Sequence, residues 1–274
     1  MKKKVKILIF GSKSIITKEL INFKKKKINL HIINSKFIRS NLKKNVIKII
    51  KEKKPHFIIN SLVVSDNNRI KRNINHAYKI NVYFPYFLST LSKKLNFYLI
   101  HFSSSSIFNG NKSLHPYTTK TKPVPSSLYA KLKHLSEKKI FKKKRVILIR
   151  LSLLYSRYDN KNLIYKCYKN FLLNKKVYSF RNYFFTPTNT YDLINFIIKK
   201  VINKPWYYSK KIIQFSENNH ISRYEFLKKI EKKLKKKNLL HANTISKSNI
   251  QKNISIRSNI KFNFLGIKNF ILNV

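Results

Sequence analysis

Residues 5–17 read VKILIFGSKSIIT, and this stretch decides the fold. The apolar run Val5–Phe10 has the length of a buried strand, Gly11 ends it, and a helical pattern begins at Ser14. A strand, a glycine turn and a helix in this order are typical of parallel α/β sheets that hold a phosphate group at the turn. Only the first glycine of the usual three-glycine fingerprint is present, so an ordinary turn between strand and helix stays open for this segment.

Strand and helix patterns alternate along the rest of the chain. The sequence predicts strands at 30–33, 57–60, 97–102, 146–151 and 212–215, and helices at 14–26, 42–50, 74–95, 129–141, 163–173, 191–202 and 222–236. Pro85 predicts a kink, and Ser222 with Glu225 predicts a capping box. A loop is expected at 183–188, and the last part of the chain is expected to be rich in loops. The alternation predicts an α/β fold with a parallel sheet and right-handed crossovers.

The composition is dominated by positive charge. Lys and Arg number 61 against 9 Asp and Glu, a net charge of +52, yet hydrophobic residues make up 43% and can form a core. An excess of this size indicates a polyanionic partner. However, Lys is spread along the whole chain and far exceeds Arg, and the chain contains only 3 Gly. This composition is what an AT-rich coding sequence produces, so coding bias explains the charge better than a surface for recognising nucleic acid. We therefore expect no specific nucleic-acid partner.

Several classes of protein are disfavoured by the remaining residue types. Cys167 is the single cysteine, so an internal disulfide is excluded and a reducing, cytoplasmic location is expected. The His residues show no metal-binding spacing, and the carboxylates are too scattered for two-metal or glycosidase chemistry. No apolar run reaches about 18 residues, so neither a membrane span nor a membrane partner is expected. The short apolar run after the first lysines lacks the features of a signal peptide.

Tyr129 and Lys133 form the pair with the clearest chemical meaning. Positions i and i+4 share one face of a helix, and a lysine ammonium beside a phenol lowers the pKa of that phenol. The pair follows residues 99–106, LIHFSSSS, an apolar strand that ends in hydroxyl groups able to polarise a carbonyl. These are the groups needed to protonate a ketone while a cofactor delivers hydride. Tyr-x-x-x-Lys pairs also occur elsewhere, at Tyr165/Lys169, Tyr207/Lys211 and Tyr224/Lys228.

Several segments resemble the extended short-chain dehydrogenases and, within them, the dTDP-4-dehydrorhamnose reductase family. The strand that ends in serines, together with the residues after it, reads LIHFSSSSIFNG at 99–110. This segment is similar to the family's LVHISTDYVFDG. The other matching segments are KPHFIIN at 54–60 (RPDVVIN), HPYT at 115–118 with Pro123, Pro125 and Tyr129 (PYxE…P…YGxSK), IRLSLLY at 149–155 (IxRTSWVY), and TPT at 186–188 with Asp192 and Leu193 (PT…DL).

The resemblance implies a Rossmann-type doubly wound sheet with a smaller C-terminal substrate-binding lobe. Residues 1–152 would form the NAD(P)-binding domain, and 153–274 the lobe, with segments at about 186–215 returning to the core. Tyr129 would donate the proton, with its pKa lowered toward neutrality by Lys133. Lys133 would also bind the nicotinamide ribose, and Ser104 falls on the family's catalytic threonine.

The resemblance also implies a cofactor, NADPH or NADH, and a nucleotide-sugar substrate. The implied cofactor contacts are Gly11, Ser14, Ile15, Ile16, Asn34, Arg39, Ser40, Leu62, Val63, Val64, Phe102, Tyr129 and Lys133. The implied substrate contacts are Ser104, Ser105 and Leu153. The chain departs from the family at the binding positions, since Ser105 and Ser106 replace an Asp and a Tyr, and Leu153 replaces a Trp.

We interpret the sequence as an NAD(P)H-dependent reductase of a 4-keto nucleotide-sugar. Two alternatives keep the same fold: an epimerase or dehydratase of a nucleotide-sugar, and a regulatory subunit that binds dinucleotide without catalysis. The sequence does not name the sugar or choose between NADH and NADPH, and it leaves a homodimer open.

Overall fold

The structure is a computed structural model that describes residues 4–23, 28–34, 41–110, 116–209, 211–217, 220–243 and 252–271. The strands are β1 Val5–Phe10, β2 Ile28–Ile33, β3 Phe57–Asn60, β4 Tyr98–Ser104, β5 Val146–Leu151, β6 Leu154–Tyr155, β7 Val177–Phe180, β8 Tyr183–Phe185, β9 Thr188–Asn189, β10 Ile212–Phe215, β11 Ile221–Ser222, β12 Leu240–Asn243 and β13 Lys252–Asn253. The helices are α1 Ile15–Asn22, α2 Leu42–Lys53, α3 Asn67–Arg72, α4 Ile74–Tyr78, α5 Phe84–Lys94, α6 Leu128–Ile140, α7 Leu163–Leu172, α8 Thr190–Phe196, α9 Pro205–Tyr208, α10 Arg223–Lys233 and α11 Gly266–Ile271.

A six-stranded sheet in the order β10-β5-β4-β3-β1-β2 forms the centre of the fold. All of its neighbouring strands are parallel. The strand order reverses between β1 and β3, so the connections leaving these strands diverge and open a crevice at their carboxyl ends. The predicted α/β fold with a doubly wound parallel sheet is therefore confirmed.

The sheet is buried on both faces, which explains why its strands read as continuous apolar runs. Along β1, Ile7 and Ile9 face one hydrophobic cluster while Leu8 and Phe10 face another, and all four side chains are fully buried. Helices α1 and α8 cover the first side, and α2 and α5 cover the second. The site described below therefore stands on a rigid sheet.

The C-terminal part of the chain, which the sequence predicts as the substrate lobe and which keeps that name below, has its own core and short strands. Phe171, Phe185 and Phe226 are among its buried side chains. Its strands form a three-stranded sheet in the order β11-β8-β13 and the pair β12-β7, while β6 pairs with β9. Strand β10 returns to the edge of the central sheet beside β5. The exact division of the chain at residue 152 stays a prediction.

The predicted loop at 183–188 is wrong. Strands β8 and β9 occupy most of this segment and pair with β11 and β6. These partners are distant in sequence, and each pairing covers only two residues of each strand, so no local pattern marks it. The last part of the chain likewise contains β12, β13 and α11 in addition to loops.

Most helices lie where the sequence predicts them. A π-helical turn at Lys79–Tyr83 joins α4 to α5 and places Pro85 in the first turn of α5, where its missing N–H is tolerated, and the kink at Pro85 stays a prediction. The capping box is confirmed, since Ser222 accepts a hydrogen bond from the N–H of Glu225, whose carboxylate accepts from the N–H of Ser222.

Candidate active site

The turn after β1 brings the backbone of Gly11 against the end of β3. Gly11 is buried and has a φ of +111°, a conformation that suits glycine alone. A Cβ atom at this position would lie 2.6 Å from Ser61 Oγ and 3.1 Å from the backbone nitrogen of Leu62. The first glycine of the fingerprint is therefore required by close packing at the point where the strand order reverses.

Hydroxyl groups occupy the positions of the other two fingerprint glycines. Ser14 is the N-cap of α1, and its Oγ accepts a hydrogen bond from the N–H of Thr17. The same oxygen donates to Ser61 Oγ at 2.9 Å and lies 2.9 Å from Thr17 Oγ1, which itself donates to the Gly11 carbonyl at 2.7 Å. This hydroxyl cluster ties α1 to β1 and β3 in place of direct glycine packing. Ile15 and Ile16 follow in the first turn of α1, whose backbone N–H groups point toward the turn.

The predicted contacts at 62–64 lie beside this turn. Leu62 and Val64 are half-buried, and Val63 is exposed. A residue that sequence reasoning missed, Asn81, fixes this loop: its amide accepts from the N–H of Val64 at 2.9 Å and donates to the carbonyl of Val64 at 2.8 Å. Asn34 is exposed at the end of β2. The predicted contacts Arg39 and Ser40 lie outside the described residues.

Ser104 and Tyr129 meet at the carboxyl end of β4. The Ser104 hydroxyl hydrogen-bonds the phenol of Tyr129. Ser104 Oγ also accepts from the backbone N–H of Ser106 at 3.2 Å and from its hydroxyl at 2.9 Å. Since both acceptor positions of this oxygen are then used, its own proton is the one directed to the phenol oxygen. The phenol proton of Tyr129 thus stays available for another acceptor, and Ser106 is a supporting residue that the sequence did not reveal.

Helix α6 presents Tyr129 and Lys133 on one face. Its first turn is held by Ser127, whose side chain accepts from the N–H of Ala130, and by Asn67, which accepts from the N–H of Tyr129 at 3.1 Å. Lys133 is 4% exposed and donates from Nζ to the carbonyl of Phe102 on β4. Burial lowers the pKa of Lys133 to about 8, against the opposing effect of the Glu137 carboxylate.

The predicted lowering of the Tyr129 pKa is wrong for this structure. Burial of the phenol raises the pKa of Tyr129 above its ordinary value, and the hydrogen bond from Ser104 offsets only part of that effect. Burial and the Ser104 hydrogen bond account for this shift, while the Lys133 ammonium donates to the Phe102 carbonyl. Tyr129 is therefore an uncharged phenol at neutral pH.

The chain matches one protein family over residues 5–259, the family described as the RmlD substrate binding domain. The chain belongs to this family. The resemblance stated from the sequence is thereby confirmed. A relative from the same comparisons is the spore coat polysaccharide biosynthesis protein SpsK of Bacillus subtilis, 26% identical over 173 residues, which are 63% of this chain and 59% of SpsK. The matched part thus spans less than two thirds of SpsK.

Solved structures of dTDP-4-dehydrorhamnose reductases share the fold. The dTDP-4-dehydrorhamnose reductase of Bacillus anthracis, solved in complex with NADP, superimposes with a TM-score of 0.86 and 19% identity, covering 99% of this chain and 100% of that one. A dTDP-4-dehydrorhamnose reductase of Clostridium acetobutylicum gives a TM-score of 0.78 and 20% identity, covering 93% and 90%. At this identity the likeness establishes the fold.

The residues that the sequence predicts on the substrate side of this RmlD-family site differ in how far they are buried. Ser105 is only 2% exposed in the 3₁₀ turn after β4, and its contact with the substrate stays a prediction. Leu153 is half-buried and packs against the core of the substrate lobe. Phe102 is 7% exposed, and its carbonyl, which binds Lys133, is the part that reaches the site. Ser104 keeps partial exposure.

The other Tyr-x-x-x-Lys pairs lie away from this edge. Tyr165 is on α7 and Tyr224 on α10, both in the substrate lobe, and Lys228 pairs with Glu231 at 2.6 Å. Tyr207 on α9 is exposed, with Lys211 over its ring. The described ranges contain no cluster of three or more His, Cys, Asp or Glu side chains suited to a metal ion. Nor does any helix within them have the length and apolar character to cross a membrane.

Proposed function

We propose that this chain is an NAD(P)H-dependent reductase of a 4-keto nucleotide-sugar. The observation that carries the proposal is the arrangement at the carboxyl end of β4. There the Ser104 hydroxyl hydrogen-bonds the uncharged Tyr129 phenol, and the buried Lys133 lies one turn further along α6. Two strands away, at the reversal of strand order, Gly11 lets the backbone turn closely. A dinucleotide bound at that reversal extends toward these side chains.

The residues present fit a nicotinamide dinucleotide. At one end, the glycine at φ +111° and the N–H groups at the start of α1 suit a pyrophosphate. Ser14 keeps its side chain turned inward to Ser61 and Thr17, so it does not fill the open side of the turn. At the other end, the Lys133 ammonium suits ribose hydroxyls. When bound, the cofactor supplies hydride to the carbonyl carbon of the sugar.

Tyr129 then performs the proton transfer. An uncharged phenol is the form needed to donate a proton to an oxygen that gains negative charge during reduction. Ser104 accepts from Ser106 and donates to Tyr129, so the phenol is held in one orientation with its proton directed away from Ser104. After the transfer, the same Ser104 hydrogen bond stabilises the phenolate. A direct bond from Ser104 to the substrate carbonyl stays a prediction.

Membership of the RmlD family supports a nucleotide-sugar as the substrate class. The relatives bear names that agree: two are dTDP-4-dehydrorhamnose reductases, and SpsK belongs to polysaccharide biosynthesis. We include a cytoplasmic location in the proposal, since Cys167 is a buried, free thiol. A homodimer and the absence of a specific nucleic-acid partner stay predictions from the sequence.

The first test measures cofactor binding and turnover together. NADPH or NADH at 100 times its dissociation constant is expected to stabilise the folded chain by about 2.7 kcal/mol, seen as a raised melting temperature. With dTDP-4-dehydrorhamnose added, absorbance of the reduced nicotinamide at 340 nm is expected to fall. ATP at the same concentration is the control for nonspecific binding of anions to a protein of charge +52.

The outcomes separate the alternatives. No thermal shift with either dinucleotide at millimolar concentration contradicts any dinucleotide-binding role. A shift without turnover of dTDP-4-dehydrorhamnose or other 4-keto nucleotide-sugars indicates the regulatory subunit. Turnover of a nucleotide-sugar without net oxidation of the cofactor indicates the epimerase or dehydratase.

A second prediction concerns pH. Lys133 has a pKa lowered to about 8, so its ammonium form is present below that pH and is lost above it. Tyr129 has a raised pKa and keeps its proton throughout this range. We therefore expect kcat/KM for NADPH to be level near neutral pH and to fall above about pH 8. A pH profile of initial rates measures this, and a level profile up to pH 10 would contradict the role of the ammonium.

A further inference from the structure

A buried histidine lies behind Lys133, and the proposed mechanism does not use it. His101 is in the middle of β4 and is 1% exposed. Its Nδ1 lies 3.3 Å from Asn60 Nδ2, and its Nε2 lies 3.4 Å from Lys133 Nζ and 3.3 Å from Ser136 Oγ. Each of these three partners is itself buried. The imidazole therefore joins β3, β4 and α6 directly beneath the nicotinamide end of the site.

Asn60 decides which ring nitrogen carries the proton. Its Oδ1 accepts a hydrogen bond from the N–H of Leu62 at 3.2 Å, which orients the amide. The amide NH₂ group therefore faces His101 Nδ1. Because NH₂ only donates, Nδ1 accepts, and the proton of the neutral ring is on Nε2. This Nε2–H has Ser136 Oγ as its acceptor.

The ring stays neutral at every pH at which the enzyme is expected to work. Burial, together with the neighbouring Lys133 charge, holds the pKa of His101 well below its ordinary value. Lys133 is the charged group in contact with the imidazole, and Glu137, the next acidic group along α6, is paired with Arg150 on β5 at 2.8 Å. Asn60 and Ser136, which face the two ring nitrogens, are uncharged and buried.

Two donors therefore face each other across 3.4 Å, the Nε2–H group of His101 and the ammonium of Lys133. Two hydrogen-bond donors cannot bond to each other, so the ammonium donates instead to the carbonyl of Phe102. The imidazole and Lys133 are both buried, so the ring restricts where the lysine side chain can lie. Its shape and its fixed proton together direct Nζ.

We propose that His101 is a positioning residue, whose neutral ring is held as the Nε2–H tautomer by Asn60 and fixes Lys133 Nζ at the Phe102 carbonyl, where the dinucleotide ribose binds. This rests on the proposed function, because it assigns His101 an effect on the reaction only through Lys133. The ring touches neither the reacting atoms nor the crevice.

The first experiment tests the tautomer without any substrate. Imidazole nitrogen NMR shifts distinguish the two tautomers and the charged ring, and a His101→Gln variant identifies the signals. The expected spectrum of the full chain shows protonated Nε2 and bare Nδ1, unchanged from pH 5 to pH 7, where Lys133, with its pKa of about 8, keeps its ammonium form. Protonated Nδ1, or titration of His101 within this range, overturns the proposal. This readout does not depend on whether the chain is a reductase.

The second experiment is a double-mutant cycle on the enzyme. His101→Leu is expected to lower kcat/KM for NADPH about 100-fold, the scale of a misplaced catalytic group, with the KM for the nucleotide-sugar unchanged. In a Lys133→Met background the same change is expected to cost less than twofold, because there is no ammonium left to position. Equal losses in both backgrounds mean a merely structural role and overturn the proposal.

Two further variants keep the cycle decisive. If His101→Leu does not fold, His101→Gln replaces it, since a glutamine amide keeps a polar group for Asn60 and Ser136. His241→Leu is the matched control, because His241 stacks on Tyr178 in the substrate lobe and is expected to leave kcat/KM unchanged. If the wild type shows no reductase activity, the proposed function fails while the NMR result still tests the tautomer.

Discussion

Replacing Tyr129 with Phe is expected to lower kcat by about 10² to 10⁴-fold, the range for loss of a general acid. The change removes one oxygen, the atom that hydrogen-bonds Ser104 and holds the transferable proton. The half-buried ring keeps its packing on α6, so the melting temperature is expected to change little. Steady-state rates with NADPH and dTDP-4-dehydrorhamnose measure the effect. The dissociation constant for NADPH is expected to stay within a few-fold of wild type.

Tyr224→Phe provides the matched control. Tyr224 also precedes a lysine by four positions, Lys228, on a helix, but it lies on α10 in the substrate lobe with Arg181 over its ring. Its variant is expected to keep wild-type kcat. Full activity in Tyr129→Phe, or a large loss in Tyr224→Phe, would show that the catalytic pair is assigned to the wrong helix.

Sequence patterns are sufficient to predict the parts of this site that depend on local structure. The buried strands ending at Gly11 and Ser104 are marked by apolar runs, and α6 by its helical spacing with Ser127 as cap. In a parallel sheet the carboxyl ends of the strands meet at one edge, so strand order alone brings these residues near each other. Tyr129 and Lys133 could therefore be proposed together with a hydroxyl from the serine run, and the family resemblance singled out Ser104.

Interactions between distant segments could not be predicted in this way. The pKa of Tyr129 depends on how deeply the fold buries the phenol, and the sequence suggested the opposite direction. The orientation of Lys133 depends on His101 and on the Phe102 carbonyl, and the loop at 62–64 depends on Asn81. His101 and Asn81 are ordinary polar residues in apolar segments, and Phe102 takes part through its backbone, so residue type alone gives no signal of these roles.

The hydroxyl cluster at the first turn shows how an altered fingerprint keeps its geometry. Ser14 and Thr17 replace two small glycines, yet their side chains bond to Ser61 and to the Gly11 carbonyl, so α1 stays close to β1 and β3. Gly11 cannot be replaced by a residue with a side chain in the same way. Its φ of +111° and its contact with the backbone of Leu62 leave no room for a side chain.

Gly11→Ala is accordingly expected to cost about 2 to 6 kcal/mol of the free energy of unfolding, from backbone strain and overpacking combined. The new methyl group would lie 2.6 Å from Ser61 Oγ, which cannot move away without breaking its 2.7 Å bond to the Phe10 carbonyl. Relief requires the turn after β1 to separate from the end of β3, so NADPH affinity is expected to fall as well. Urea unfolding and NADPH titration measure the two effects.

Ser12→Ala is the control for this substitution, because Ser12 is half-buried in the same turn and its change adds no atom. It is expected to leave both the unfolding free energy and NADPH affinity near wild type. If Gly11→Ala is as stable as Ser12→Ala and binds NADPH equally well, then the close approach of β1 and β3 is not what forms the pyrophosphate site. Retained stability with lost NADPH affinity would instead mean that the turn relaxes toward the crevice, which places the cofactor at this edge while correcting the expected cost in folding.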